Sequence, residues 1–322
     1  MSKNKNPEFM SMHLSFKNIF TLLGIGSLKF ISLLPYGFLM SLGNSIGNLI
    51  YKVSPHRKEI SKININKCLK LEGDELDNFV RSNFQAVGRG IFEMGIAWWA
   101  SDKKIKKIKT RIINRHLIEH QPKGALVLIK HSTHLELDLR LMSQFFDLTG
   151  MYKAQTNEVI NYVMIKARNN YIKGSLTNKE AMKAIRWMKS GESFLYAADQ
   201  DYGQNVSKMV PFFGCDAATV TFPSIFSYKN IKILMADVSK VKDTYEIEIK
   251  EINSLQSKED ILKGMNLLYE EFIRKEPEGY LWMHRRFKTG LERSIYPQWS
   301  RRERRRETVS YTHLTLPTTK QV

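Results

Sequence analysis

Two histidines and two carboxylates, His131, His134, Glu136 and Asp138, crowd into the segment Lys130–Arg140, KHSTHLELDLR. A neutral imidazole, with an ordinary pKa of about 6.5, can take a proton from a hydroxyl at neutral pH. A carboxylate on its other ring nitrogen fixes the tautomer and stabilises the imidazolium that forms. Spacing limits the pairs. His134 and Asp138 lie four apart and share one helix face. His131 and Glu136 lie five apart, roughly 140° on a helix of 3.6 residues per turn. They meet only if His131 sits in a loop and Glu136 in the first turns of the helix that follows. The apolar run Ala125–Ile129 reads as a strand and puts His131 in that loop. No serine or cysteine is an obvious nucleophilic partner of the pair, so the nucleophile of a base-catalysed transfer would be the substrate's own hydroxyl. A second chemistry uses His131 and His134 with a carboxylate as ligands of a hydrolytic metal, with His284 the one distant imidazole that could join them. A third is suggested by Gly43-Asn-Ser45-Ile-Gly47, which matches G-x-S-x-G. That motif needs a strand, a sharp turn and a helix, and no strand precedes it here, so it is read as a chance match.

The elements around the segment read as an α/β chain. The first 15 residues are polar. Residues 16–53 are largely apolar, and the uncharged run Phe30–Tyr51 reaches the length of about 20 that spans a bilayer, although Pro35 and several Gly and Asn interrupt it. We read 16–53 as a membrane anchor, either one span or a hairpin lying in the interface. Residues 54–115 read as helical, with Phe84, Val87, Ile91, Met94 and Trp98 at helical spacing, followed by the basic stretch Lys103–Arg111. That stretch is either a solvated face or a contact for anionic headgroups. From 116 to 292 strands alternate with helices, as in an α/β core. Strand Leu148–Lys153 precedes a helix from Asn157; a helix over 178–190 has Asn178 as cap. Strand Ser193–Ala198 delivers Asp199-Gln200-Asp201, a helix is expected over 218–228, two strands at 231–241 and 245–251, and a last helix at 258–274. Residues 293–322 form an arginine-rich tail. A net charge of +18 favours a polyanionic partner, but no nucleic-acid-binding module is visible. Two distant cysteines make no disulfide framework.

The blocks together carry a resemblance. His131-Ser-Thr-His-Leu-Glu136 has the H-x-x-x-x-D/E spacing of the glycerolipid and lipid A acyltransferase superfamily. Ala86–Trp98, Met151-Tyr-Lys-Ala-Gln-Thr-Asn157 with Arg168, Ala198-Asp-Gln-Asp-Tyr-Gly203, Pro211-Phe-Phe-Gly214 and Leu281-Trp-Met-His-Arg-Arg-Phe-Lys288 resemble, in order, blocks of the late lipid A acyltransferases. The F-P-E-G-T block of the glycerol-phosphate enzymes is absent. The resemblance implies a glycerolipid-acyltransferase-like mixed sheet flanked by helices, with a membrane-associated helical region before it. It implies transfer of an acyl chain from acyl carrier protein to a hydroxyl of a Kdo-bearing lipid A precursor at the cytoplasmic side of the inner membrane. His131 is then the general base and Glu136 its orienting carboxylate, with no acyl-enzyme and no metal or organic cofactor. Arg168, Asp199, Gln200, Lys153 and Asn157 would serve the substrates, Asp199 and Gln200 alternatively bracing the His131 loop. Tyr152-Lys153-Ala154 stands where lauroyl-type members read Y-R-P, which points to the myristoyl-type branch. A glycerolipid acyltransferase of the same superfamily is the alternative.

Overall fold

The computed structural model describes residues 14–119, 124–152, 154–177, 180–226, 231–252, 257–290 and 295–298. The expected helix cap Asn178, the substrate residue Lys153 and the arginine run of the tail lie outside them.

The N-terminal apolar run breaks at Ser32–Pro35 into two helices, α1 (Ile19–Ile31) and α2 (Tyr36–Val53), because proline has no N–H to continue a ladder but suits a helix start. Then come α3 (Pro55–Leu69) and the long α4 (Gly73–Trp99), a one-turn α5 (Asp102–Ile105), β1 (Thr110–Ile113) and a one-turn α6 (His116–Glu119). The block 54–115 is therefore helical except for its last strand. Among the described residues no helix is long and apolar enough to cross a membrane, which corrects the reading of 16–53 as a span. α2 instead packs along α4. Gly43, Gly47 and Gly88 let the two backbones touch: a Cβ on Gly88 would stand 2.1 Å from the Gly43 carbonyl oxygen, and one on Gly47 would stand 2.3 Å from that of Phe84. The G-x-S-x-G match is thus a helix-packing stripe, and Ser45 Oγ donates to the Ser41 carbonyl inside its own helix. α1 buries no residue, and Phe16, Phe20, Leu23, Phe30, Leu33 and Phe38 stand exposed along it and its flanks.

The core is a seven-stranded sheet in the order β1-β9-β8-β2-β5-β3-β4, formed by β2 (Ala125–Ile129), β3 (Leu148–Tyr152), β4 (Gly174–Thr177), β5 (Ser193–Ala197), β8 (Lys232–Val241) and β9 (Thr244–Ile252) with β1. The five strands β8, β2, β5, β3 and β4 run parallel; β9 is antiparallel to β8, and β1 pairs with β9. β2 is buried at all five positions, as a parallel strand covered on both faces must be. One face carries Ile129, Leu195 and Leu234, covered by α7 (Leu135–Met142), α8 (Glu158–Arg168) and the second half of α4; the other carries Leu128, Phe194 and Met235, covered by α3, α9 (Ala181–Lys189) and α10 (Lys258–Lys275). The helix expected over 218–228 is absent from the described part of that range, 218–226. Cys215–Val220 is β7, paired antiparallel with β6 (Ser207–Phe212), and a 3-10 turn follows at Phe222–Phe226. β6 buries alternate residues, Val210 and Phe212, whereas β7 is buried throughout Ala217–Val220, and Phe213-Gly214, both at positive φ, make the tight turn that such a hairpin needs.

Candidate active site

The chain leaves β2 to continue through β3 on one side and leaves β5 to continue through β8 on the other, so a crevice opens beyond the carboxyl ends of these two neighbours. Ligands of open α/β sheets bind at such a point. His131 follows β2 and Asp199 follows β5, and the sheet brings them together. The His131 N–H donates to Asp199 Oδ2 at 2.9 Å, and His131 Nδ1 lies 2.5 Å from Oδ1. Tyr269 of α10 joins the same two strand ends: its hydroxyl donates to the Ile129 carbonyl at 3.0 Å and accepts from Ala198 N–H at 3.3 Å. Asp199 is wholly buried, while the His131 side chain keeps 20% of its surface exposed. Burial pushes the Asp199 carboxyl up, but the His131 ring and backbone N–H outweigh it and hold the group well below the usual carboxylate range. An ionised carboxylate on Nδ1 leaves Nε2 as the basic atom of His131.

Glu136, expected to orient His131, has other partners. The placement is as the spacing required, His131 in the loop and Glu136 in the first turn of α7. The carboxylate instead accepts from Trp98 Nε1 at 2.8 Å, from Arg168 Nε at 3.2 Å and from Tyr171 Oη at 3.4 Å, and pairs with Arg168 Nη2. Burial pushes its carboxyl up, and the Arg168 guanidinium with these donors more than reverses that. The carboxylate on His131 is therefore Asp199, in the bracing role given as its alternative. A sequence cannot show that two strand ends with 67 residues between them are neighbours in a sheet, so the local carboxylate looked like the partner.

His134 and Asp138 form the same-face pair, Nδ1 to Oδ1 at 2.6 Å, with Ser132 Oγ on the other Asp138 oxygen. His134 Nε2 faces Glu276 at 3.4 Å. Burial opposes charge on this imidazole, but two carboxylates raise its pKa well above the ordinary histidine value. His131 and His134 thus each turn Nδ1 to a different carboxylate, and among the described residues no group of three or more His, Cys, Asp or Glu is placed to hold a metal ion. His284 donates from Nδ1 to the Leu281 carbonyl at 2.8 Å, and burial pushes it down to about 4.

A strap, residues 278–284, holds the His131 loop from outside. Thr133 N–H donates to the Gly279 carbonyl at 2.8 Å and Leu281 N–H to the His131 carbonyl at 3.0 Å. Asn83 of α4 donates to the Glu278 and Tyr280 carbonyls, and Asn64 of α3 to those of Trp282 and His284, all within 2.8 Å. These asparagines escaped the sequence reading because nothing local distinguishes them from solvent-facing helix residues. Gly90 is also required here, since a Cβ would lie 1.9 Å from the Thr133 carbonyl oxygen.

His131, Glu136, Arg168 and Gln200 line one cavity of about 890 Å³, within the range of small-molecule sites. Asn157 does not line it. Its Oδ1 caps α8 through Val159 and Ile160 N–H, and its Nδ2 donates to Thr21 of α1. The chain matches the family model described as bacterial lipid A biosynthesis acyltransferase over residues 7–289. It is 30% identical to a lipid A biosynthesis acyltransferase of Haemophilus influenzae over 90% of this chain and 96% of that one. It is 30% identical to the lipid A biosynthesis lauroyltransferase of Escherichia coli over 89% and 97%, and 23% identical to the myristoyltransferase of the same organism over 85% and 88%. These identities and the Tyr152-Lys153-Ala154 block point in different directions between the branches, so neither branch is assigned. The match over most of its length shows that this chain belongs to the bacterial lipid A biosynthesis acyltransferase family.

Proposed function

We propose that the protein transfers a fatty acyl chain from acyl carrier protein to a hydroxyl of a Kdo-bearing lipid A precursor, with His131 as general base and Asp199 as its orienting carboxylate. The observation that carries this is the His131–Asp199 pair at two joined strand ends, on a largely apolar cavity. His131 Nε2 takes the proton of the acceptor hydroxyl while that oxygen bonds to the thioester carbonyl carbon. The carbon–sulfur bond then breaks, and the departing thiolate takes the proton back from the imidazolium. No acyl-enzyme forms. Arg168, fixed against Glu136 by a two-nitrogen contact, presents its guanidinium at the cavity wall, where planar donors suit the developing oxyanion. Gln200 at the rim contacts substrate.

In this reading the reaction takes place at the cytoplasmic face of the inner membrane. The exposed apolar side chains of α1 support this, because α1 is tied to α8, a wall of the cavity: Asn18 Nδ2 donates to Glu158 at 2.7 Å and Asn157 to Thr21 at 3.1 Å. The chain's excess of basic residues suits an anionic lipid surface and an acidic carrier protein. Mass spectrometry of lipid A from cells with and without the protein tests the reading. A species heavier by one acyl chain, present only with the protein, is expected; identical lipid A in both would overturn it.

A further inference from the structure

The cavity is not a single hollow on one side of the sheet. It lies over the carboxyl ends of β2, β5 and β3 and descends on both faces. Alternation along the strands assigns its walls. Ile129, Leu195 and Ala197 belong to the face covered by α4, α7 and α8, whereas Met151, Tyr196 and Phe222 belong to the opposite core. His131 stands where the two arms meet.

The arms differ in chemistry. The α7–α8 arm is walled by Met94, Leu139, Met164 and Ile172, and its main charged groups, Glu136 and Arg168, are turned to each other. The opposite arm alternates Val220, Phe222 and Ile225 with Gln200, Asn205 and Lys288. The first suits an alkyl chain with no polar atoms, the second a molecule carrying both hydroxyls and anionic groups.

The strand register gives the first arm a floor. Tyr152 and Ala197 form the upper row. One layer down, Gly150 pairs with Leu195 on one side and Ser175 on the other, and all three line the cavity. The next layer, Leu148 beside Ser193, does not line it, and Leu148 is fully buried. The arm therefore ends on the row Ser175–Gly150–Leu195. Gly150 has no side chain in that floor, and a Cβ built there would meet only Leu195, at an ordinary contact distance of 3.6 Å.

We propose that the α7–α8 arm takes the donor's acyl chain and that Gly150 sets its length by leaving the deepest layer of the arm empty. This rests on the acyltransferase reading above. One layer is two residues of strand, about 6.6 Å, so a side chain at Gly150 removes space that the last few methylenes occupy.

The test compares kcat/KM for a series of acyl carrier protein thioesters of increasing saturated chain length, using the full-length protein. Gly150→Leu is expected to lower the ratio of long-chain to short-chain kcat/KM by about tenfold or more, the discrimination an apolar pocket gives for a misfitting methylene. Leu195→Ala, which deepens the floor, is expected to raise that ratio. Gly150→Ala, whose methyl fits without displacement, should move it in the same direction as Gly150→Leu by a smaller factor. Equal loss for all chain lengths in all three variants, with unchanged thermal melting, would overturn the proposal. So would a shift in the length ratio caused by Ile225→Ala or Phe222→Ala with none from Gly150, because the chain would then occupy the opposite arm. Failure of the unaltered protein to transfer from any thioester would instead overturn the acyltransferase reading, and this assignment with it.

Discussion

Replacing Asp199 by asparagine separates the geometry found here from the pairing the sequence suggested. The substitution keeps shape and volume and changes only charge and one donor. Two groups of His131 bind this carboxylate, the backbone N–H on Oδ2 and ring Nδ1 on Oδ1. The backbone N–H must find an acceptor, so the amide oxygen of asparagine takes the Oδ2 position and its NH2 faces Nδ1. Nδ1 then accepts, the ring proton moves to Nε2, and the atom facing the cavity can no longer take a proton. A triad aspartate changed in this way costs about 10⁴-fold in kcat, or about 5.4 kcal/mol of barrier at 1.36 kcal/mol per tenfold. We expect a loss of 10³- to 10⁴-fold in kcat by that comparison, with KM little changed and melting within a few degrees, because both hydrogen bonds survive. The assay is acyl transfer from acyl carrier protein to purified acceptor, quantified by mass spectrometry. An Asp199→Asn enzyme that retains kcat within tenfold would refute the assignment, most clearly if Glu136→Gln showed the loss without any fall in stability.

Other perturbations follow. Glu136→Gln leaves the largely buried Arg168 without its counter-charge and should lower stability by about 3 kcal/mol, read as a lower urea midpoint. His284 binds its proton less readily folded, at about 4, than unfolded, at about 6.5. Protons therefore favour the unfolded chain, and stability should fall as pH drops from 6.5 towards 4, by roughly 3 kcal/mol at 1.36 kcal/mol per pH unit. His284→Gln should flatten that slope in denaturant titrations, and an unchanged slope would contradict the cause. The His134 pKa is raised instead, so its contribution is complete below the unfolded value of about 6.5 and is lost as pH climbs through the folded one; His134→Gln should reduce the alkaline loss of stability. Ser45→Ala should leave transfer within twofold of the unaltered enzyme, whereas Gly47→Val, which forces the α2 and α4 backbones apart, should cost at least 1–3 kcal/mol, the usual range for overpacking.

What could be read in the chain depended on how local the determining physics was. The strand-like runs 125–129, 231–241 and 245–251 and the stripe of α4 are signals within one element, and each became the expected strand or helix. The loop position of His131 and the His134–Asp138 pair followed from spacing alone. Failures arose where the partner was distant in sequence. Asp199 reaches His131 only because β5 is inserted between β2 and β3, an order no spacing rule encodes. The run 215–220 lacks the length or caps to separate strand from helix until β6 is present to pair with it. The bilayer-length run 30–51 failed as a span because Pro35 and the Gly43 and Gly47 stripe, visible as interruptions, belong to a helix turn and a helix contact. Asn64 and Asn83 act on carbonyls about 200 residues away, and only the folded strap gives them a role.

The most direct test of the central claim is reconstitution. Purified protein, an acyl carrier protein thioester and a Kdo-bearing lipid A precursor in detergent are incubated, and the lipid is weighed by mass spectrometry. The account predicts one added acyl chain and loss of one thioester per product with the unaltered enzyme, and no detectable product with His131→Gln. Unchanged acceptor mass with the unaltered enzyme, or equal product from His131→Gln, would contradict it.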